Sequence, residues 1–163
     1  MQTATAETTN DAKDDGGPLQ QPLAGRHALI TGGNRGIGAA IAEHLADLGA
    51  NITLAARDEN ALEGQRQKLS ARGDIAVSAQ TMDLRDPASI ADGVAAARDS
   101  HGPIAVLVNN AGIAPAAPLA KLDLKTWQET FDINVQAAFL LCQAGQSDMQ
   151  DLGYGRIINV AST

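Results

Sequence analysis

The stretch Ala28-Leu29-Ile30-Thr31-Gly32-Gly33-Asn34-Arg35-Gly36-Ile37-Gly38 decides how this chain is read. An apolar run leads into a glycine-rich turn, and the turn opens an amphipathic segment from Ile37 to Leu48. Strand, tight turn and helix thus follow in the order that a phosphate-binding βα unit requires. Gly32 lets the chain leave the strand sharply. Gly36 removes a side chain where a pyrophosphate would approach the backbone, and Gly38 lets the helix pack close to the sheet. The first helical turn then offers free N–H groups and the positive end of the helix dipole to an anion. Three glycines alone fit an ordinary strand-to-helix turn equally well, so the surrounding chain has to decide.

Outward from this turn, apolar runs alternate with helical patterns. Strands are predicted at His27–Thr31, Asn51–Ala55, Ile75–Thr81, Ile104–Asn109 and Arg156–Ala161. Helices are predicted at Arg35–Leu48, Glu59–Arg72, Pro87–His101 and Asp123–Leu152. Ile104-Ala105-Val106-Leu107-Val108 and Ile157-Ile158-Asn159-Val160 are nearly continuous in apolar residues, as parallel strands covered on both faces are. Repeated βα alternation with crossovers of this length implies an α/β fold with a doubly wound parallel sheet and right-handed connections. The last helix is apolar on most sides: Trp127, Phe131, Val135, Ala138 and Cys142 form one stripe, and Ile133, Ala137, Leu140, Leu141 and Ala144 widen it. One side can meet the sheet, and the other calls for a partner such as another subunit.

Bulk properties narrow the function. The chain has 163 residues, 44% of them hydrophobic and 19% charged, which suits one soluble domain with a real core. No apolar stretch is long enough for a membrane span. Residues 1–22, with Glu7, Asp11, Lys13, Asp14 and Asp15, read as a disordered acidic tail without a signal-peptide core, and residues 23–163 as the folded domain. A net charge of −7 argues against nucleic acid or an anionic membrane as a partner. Cys142 is the only cysteine, which excludes an intrachain disulfide and points to a reducing cytoplasm. In its apolar helical run it reads as a packed core thiol. His27, His44 and His101 are isolated, so no metal site is expected. There is no Gly-x-Ser-x-Gly elbow and no Lys-Ser/Thr ending to the glycine loop, which argues against a hydrolase or a kinase-type phosphate loop.

The spacing Thr-Gly-x-x-x-Gly-Ile-Gly resembles the short-chain dehydrogenase/reductase family, in its typical soluble NAD(P)-dependent form. Four further stretches match that family in order: Met82-Asp83-Leu84, Asn109-Asn110-Ala111-Gly112, Asp132-Ile133-Asn134-Val135 and Ile157-Ile158-Asn159-Val160-Ala161-Ser162. The resemblance implies a Rossmann-type sheet and a reaction that interconverts a carbonyl and a secondary alcohol by hydride transfer. Reductases of 3-oxoacyl thioesters are one class of member. It makes Gly32, Asn34, Arg35, Gly36, Ile37 and Gly38 cofactor contacts. It assigns Asp83 a hydrogen bond to the adenine, with Leu84 beside it. Along Asn109, Ala111 and Gly112 it lays the ribose and nicotinamide, and Asn109 also braces the sheet. Asn134 becomes the active-site asparagine that holds a water in a proton relay, set against the plainer reading of a core amide bonded to a neighbouring carbonyl. Ser162 becomes the serine that orients the substrate carbonyl. The long helix sits at a subunit interface in the family, which implies a homo-oligomer, dimer or tetramer, in a full-length form.

Cofactor choice can be argued from the second strand. NAD-selective enzymes place an acid at its end to grip the ribose 2′-hydroxyl. Here that position is Ala56, Arg57 follows it, and Arg35 precedes Gly36. Two guanidinium forks suit a 2′-phosphate, and two such contacts favour NADP(H) over NAD(H) by about 10- to 1,000-fold. Pairing of Arg57 with Asp58 or Glu59 would weaken the preference.

The family's general acid/base is a tyrosine with a lysine four residues later, downstream of the serine strand. The only tyrosine here is Tyr154, with Ile158 four residues on, and it reads as a turn residue before a strand. The resemblance spans Leu23 to Thr163 and implies a fold truncated after the fifth strand, with an apolar sheet edge at Ile157–Val160 left open to aggregation or to a missing piece. Two classes of function follow. One is an NADPH-dependent reductase or alcohol dehydrogenase of which this chain is an inactive N-terminal fragment. The other is a non-catalytic dinucleotide-binding or interaction subunit completed by another chain.

Overall fold

Buried apolar residues alternate sides along the central strands, and this alternation sets the layers. In the computed structural model, which describes residues 21–161, Ala28 and Ile30 of β1 (His27–Thr31) face one side of the sheet, and Leu29 faces the other. β2 (Asn51–Ala56) and β4 (Ile104–Asn109) do the same, with Ile52, Leu54, Val106 and Val108 opposite Ala55 and Leu107. The five strands are all parallel in the order β3-β2-β1-β4-β5, with β3 at Val77–Thr81 and β5 at Arg156–Asn159. Helices α1 (Gly36–Asp47) and α2 (Glu59–Ser70) cover the first face through Ala42, Ala46, Leu62 and Leu69. Helix α3 (Pro87–His101), with Ile90 and Val94, and the later helices cover the second. This is the doubly wound α/β sheet that the sequence predicts.

Three of the helices start on an aspartate cap. Asp58 accepts from the Ala61 N–H at 3.0 Å, Asp86 from Ala88 at 2.9 Å, and Asp123 from Thr126 at 2.7 Å. Pro87 adds a preset φ at the start of α3. Helix α1 alone among the four starts with no side-chain cap and no acid in its first turn.

Several element ends depart from expectation by one or two residues: α1 runs Gly36–Asp47 and not Arg35–Leu48, β2 ends at Ala56 and not Ala55, α2 at Ser70 and not Arg72, and β5 at Asn159 and not Ala161. Two further differences have a structural reason. β3 begins at Val77 and not at Ile75, because it is an edge strand, half-buried up to an exposed Thr81 and weakly patterned. The single helix expected at Asp123–Leu152 is one rod in three parts: α4 (Leu124–Phe131), a widened π turn (Asp132–Gln136) and α5 (Ala137–Asp151). In the π turn the Ala137 N–H donates to the Asp132 carbonyl five residues back, which inserts one residue without breaking the rod.

The rod has two apolar faces. Ile133, Ala137, Leu141 and Gly145 are buried towards the sheet. Trp127, Phe131, Val135 and Phe139, also spaced by four, remain 43% to 62% exposed. Ala138 and Cys142, expected on that outer stripe, are half-buried. Strand β5 is the other open margin: it forms the sheet edge, with Ile157 and Ile158 about as exposed as Trp127. No described helix is long and apolar enough to cross a membrane. Residues 1–20 of the expected acidic tail lie outside the described residues.

Candidate cofactor-binding site

The chain reverses its direction of strand addition between β1 and β4, and a crevice opens at that point beyond the carboxyl ends of the strands. Thr31, the last residue of β1, ties the two sides together. Its hydroxyl donates to the Val108 carbonyl at 3.2 Å and accepts from the N–H groups of Asn110 (3.0 Å) and Ala111 (3.1 Å). Asn110 returns the link by donating from Nδ2 to the Thr31 carbonyl at 3.0 Å. The glycine turn sits on this clamp. A Cβ on Gly38 would lie 2.3 Å from the Gly32 carbonyl oxygen, so only glycine lets α1 start so close to β1. Gly36 is different: its φ is +56° and a Cβ there would meet nothing within 4 Å. The structure thus leaves free space where the sequence reading places a pyrophosphate, in front of the uncapped N–H groups of α1.

The resulting cleft has a volume of about 810 Å³ and is lined by Gly32, Asn34, Arg35, Gly36, Ile37, Arg57, Asp83, Leu84, Ala111 and Gly112 among the predicted residues. Thr31, Ala55, Ala56, Met82, Asn110, Ile113 and Ile133 complete much of the wall. The Thr31–Asn110 clamp goes beyond the sequence expectations, although a threonine at a strand end before a glycine turn is its signal. Gly38 and Asn109 stand behind the wall as supports. Asn109 is buried and donates from Nδ2 to Asn159 Oδ1 at 2.8 Å, across the β4–β5 pair in which the two residues are in register. The same amide lies 3.4 Å from Cys142 Sγ, so that thiol borders a polar sheet brace and is only half-buried.

Asn134 lies in the π turn, and its side chain is exposed, not sunk between apolar stripes. Its Oδ1 accepts from the Ile113 N–H at 2.9 Å and its Nδ2 donates to the Ile113 carbonyl at 2.8 Å. Gly112 permits this approach, since a Cβ there would stand 3.2 Å from Oδ1. One N–H and one lone pair of the amide remain for a further partner. Ser162 lies outside the described residues. Tyr154 is in the turn before β5, at the opposite end of the sheet, with the Arg26 guanidinium 3.5 Å above its ring centroid.

Charge in the cleft is unevenly satisfied. Arg35 and Arg57 are exposed and form no ion pair among the described residues. Neither Asp58 nor Glu59 is ion-paired with Arg57 among the described residues, and one Asp58 carboxylate oxygen caps α2. Asp83 is held by Arg85, whose Nε lies 3.0 and 3.1 Å from the two carboxylate oxygens, and by the Arg85 backbone N–H at 3.0 Å. These bonds, chiefly the side-chain ones, pull the Asp83 pKa down to about 2, with a smaller contribution from the charge of Arg57.

The family model of short chain dehydrogenases matches residues 26–163. The chain belongs to the short-chain dehydrogenase family. Gluconate 5-dehydrogenase of Gluconobacter oxydans is 39% identical over 140 residues, which are 86% of this chain and 54% of that protein. The 3-oxoacyl-(acyl-carrier-protein) reductase of Escherichia coli is 36% identical over 138 residues, 85% of this chain and 55% of that protein. Among solved structures, L-sorbose reductase of Gluconobacter frateurii, complexed with NADPH and L-sorbose, superposes with a TM-score of 0.84 at 33% identity, covering 88% of this chain and 55% of that one. A blue fluorescent protein from a metagenomic library, complexed with NADPH, gives 0.80 at 43% identity, covering 86% and 57%. This short-chain dehydrogenase chain spans about half the length of the curated relatives it matches.

Proposed function

We propose that the cleft binds NADP(H) and serves an oxidoreductase that interconverts a small-molecule carbonyl and a secondary alcohol. The observation that carries this reading is the pair Arg35 and Arg57. Both line the cleft without an ion-pair partner among the described residues, beside Ala56 in place of an acid and in front of an uncapped helix. The solved relatives that hold NADPH support it. The donor set fits the group: open N–H groups and free space at Gly36 for a pyrophosphate, two guanidinium forks for a 2′-phosphate, and Asp83 with Leu84 for the adenine. Ala111 and Gly112 keep the wall low where the nicotinamide ribose would lie.

When bound, the cofactor supplies or takes the hydride. This chain's residues bind and orient. Asn134 fixes the wall at Ile113 and has one donor and one acceptor left for a relay water. Ser162 is assigned the orientation of the substrate carbonyl. The 163 residues hold no tyrosine followed four residues later by lysine, so the family's acid/base pair is not among them. The outer stripe Trp127–Phe131–Val135–Phe139 suits a homo-oligomer, and the lone cysteine a reducing, cytoplasmic setting. NADPH oxidation with a broad ketone panel tests the reading. The 163-residue chain is expected to give essentially no turnover, and a product of the same reading frame that adds a Tyr-x-x-x-Lys pair is expected to reduce ketones. Turnover by the first would contradict the expected inactivity of this chain but not the reaction, and none by the second contradicts the assignment.

A further inference from the structure

The parallel pairing of β2 and β3 brings two opposite charges to one wall of the cleft. Ala56 is in register with Thr81, and the Met82 N–H donates to the Ala56 carbonyl at 2.9 Å. Arg57 therefore leaves β2 beside the point where Asp83 follows β3, and both line the cleft. An aspartate so placed is a hazard to a 2′-phosphate site. Paired with Arg57 it would occupy the guanidinium, and left unpaired it would repel the phosphate. Neither occurs, because Arg85 takes the carboxylate with its Nε, its Nη2 and its backbone N–H. Arg85 itself does not line the cleft. Its remaining nitrogen, Nη1, donates to Glu129 Oε1 of α4 at 3.3 Å, so the guanidinium bridges Asp83 to α4.

Resting on the NADP(H) reading, we infer that Arg85 is a positioning residue for cofactor specificity: by holding Asp83 it leaves Arg57 free for the ribose 2′-phosphate. It acts through Asp83 and does not touch the phosphate. The low pKa of Asp83 fits this arrangement, since the carboxylate stays charged at any working pH and has to be neutralised by a partner. The adenine is common to both cofactors, so a change in how Asp83 meets it shifts both affinities together. Only the ratio of the two affinities reports the state of Arg57.

The test is calorimetric titration of NADP⁺ and NAD⁺ into the full 163-residue chain and its R85Q, D83N and D83N/R85Q variants at one low ionic strength. Arg85 is half-exposed, so R85Q is expected to fold. R85Q should lower the NADP⁺/NAD⁺ affinity ratio about 3- to 10-fold, mainly through weaker NADP⁺ binding. D83N should leave the ratio unchanged or raise it, and D83N/R85Q should return it to within about twofold of wild type. An unchanged ratio in R85Q, an equal loss for both cofactors, a fall in D83N alone, or a double variant as low as R85Q would overturn the inference. A wild-type chain that binds the two cofactors equally would instead overturn the NADP(H) reading beneath it.

Discussion

The two ends of the parallel sheet treat polar groups in opposite ways. At the carboxyl end, α1 starts uncapped, Arg35 and Arg57 have no ion-pair partner among the described residues, and Gly36 fronts open space. At the amino end the polar groups close on one another. His27, 1% exposed, bonds through Nδ1 to the Gly102 carbonyl and through Nε2 to the Thr53 hydroxyl, both at 2.8 Å. A carbonyl only accepts, so Nδ1 carries the hydrogen. Thr53 then donates to Nε2, and Ser78, 2.8 Å away, donates to Thr53. One chain of hydrogen bonds thus crosses β1, β2 and β3 with its direction fixed. The difference is one of satisfaction: the network at the amino end links three strands, with only the buried His101 Nε2 beside it unpartnered among the described residues, whereas the carboxyl end leaves its N–H and guanidinium donors open, as the proposed binding requires.

The strongest way to break this division is at Gly38. Gly38→Ala puts a methyl against the Gly32 backbone, so α1 must move away from β1. NADP⁺ affinity should fall by about 100-fold or more, with a stability loss of about 1–3 kcal/mol that leaves the amino-end network intact. Titration of NADP⁺ alongside chemical unfolding separates the two effects. Affinity within a fewfold of wild type would show that the helix start does not depend on this contact.

The closed end is probed by pH. Burial is the main cause that lowers the His27 pKa from 6.5 to about 4, and the charge of His101, whose ring lies 5.3 Å away, adds to it. The Gly102 carbonyl and the charge of Asp148 oppose it. The folded pKa lies below the unfolded one, so the neutral ring's contribution is full above pH 6.5 and is lost as pH falls towards 4. Up to about 3 kcal/mol of stability should go across that window. Denaturant midpoints at several pH values should show this slope for wild type, and a smaller one for His27→Gln. A flat profile would mean that His27 is not held neutral by the fold.

Much of this was legible in the sequence, for physical reasons that differ by element. β1 and β4 have the predicted bounds because strands covered on both faces are nearly continuous in apolar residues. The edge strand β3 lacks that pattern, and it starts two residues later than expected. The π turn left no mark, because Trp127, Phe131, Val135 and Phe139 keep a spacing of four across an inserted residue. Most of the glycine turn and Asp83 line the cleft as read from their motifs. Asp83 and Arg85 are two residues apart, so their pairing is local, but no periodicity or motif marks it. The nearness of Asp83 to Arg57 depends on the pairing of β3 with β2, which no local window of sequence contains. The role of Asp58 as the cap of α2 is marked in the sequence by an aspartate directly before a helical run.

The central claim is that the open end of the sheet is built for a 2′-phosphate. It is tested most directly by the ratio of NADP⁺ to NAD⁺ affinity in wild type and in the double variant Arg35→Ala/Arg57→Ala. Wild type should prefer NADP⁺ by about 10-fold or more, and the double variant should bind the two cofactors alike. An undiminished NADP⁺ affinity in the double variant, or no preference in wild type, would contradict the account.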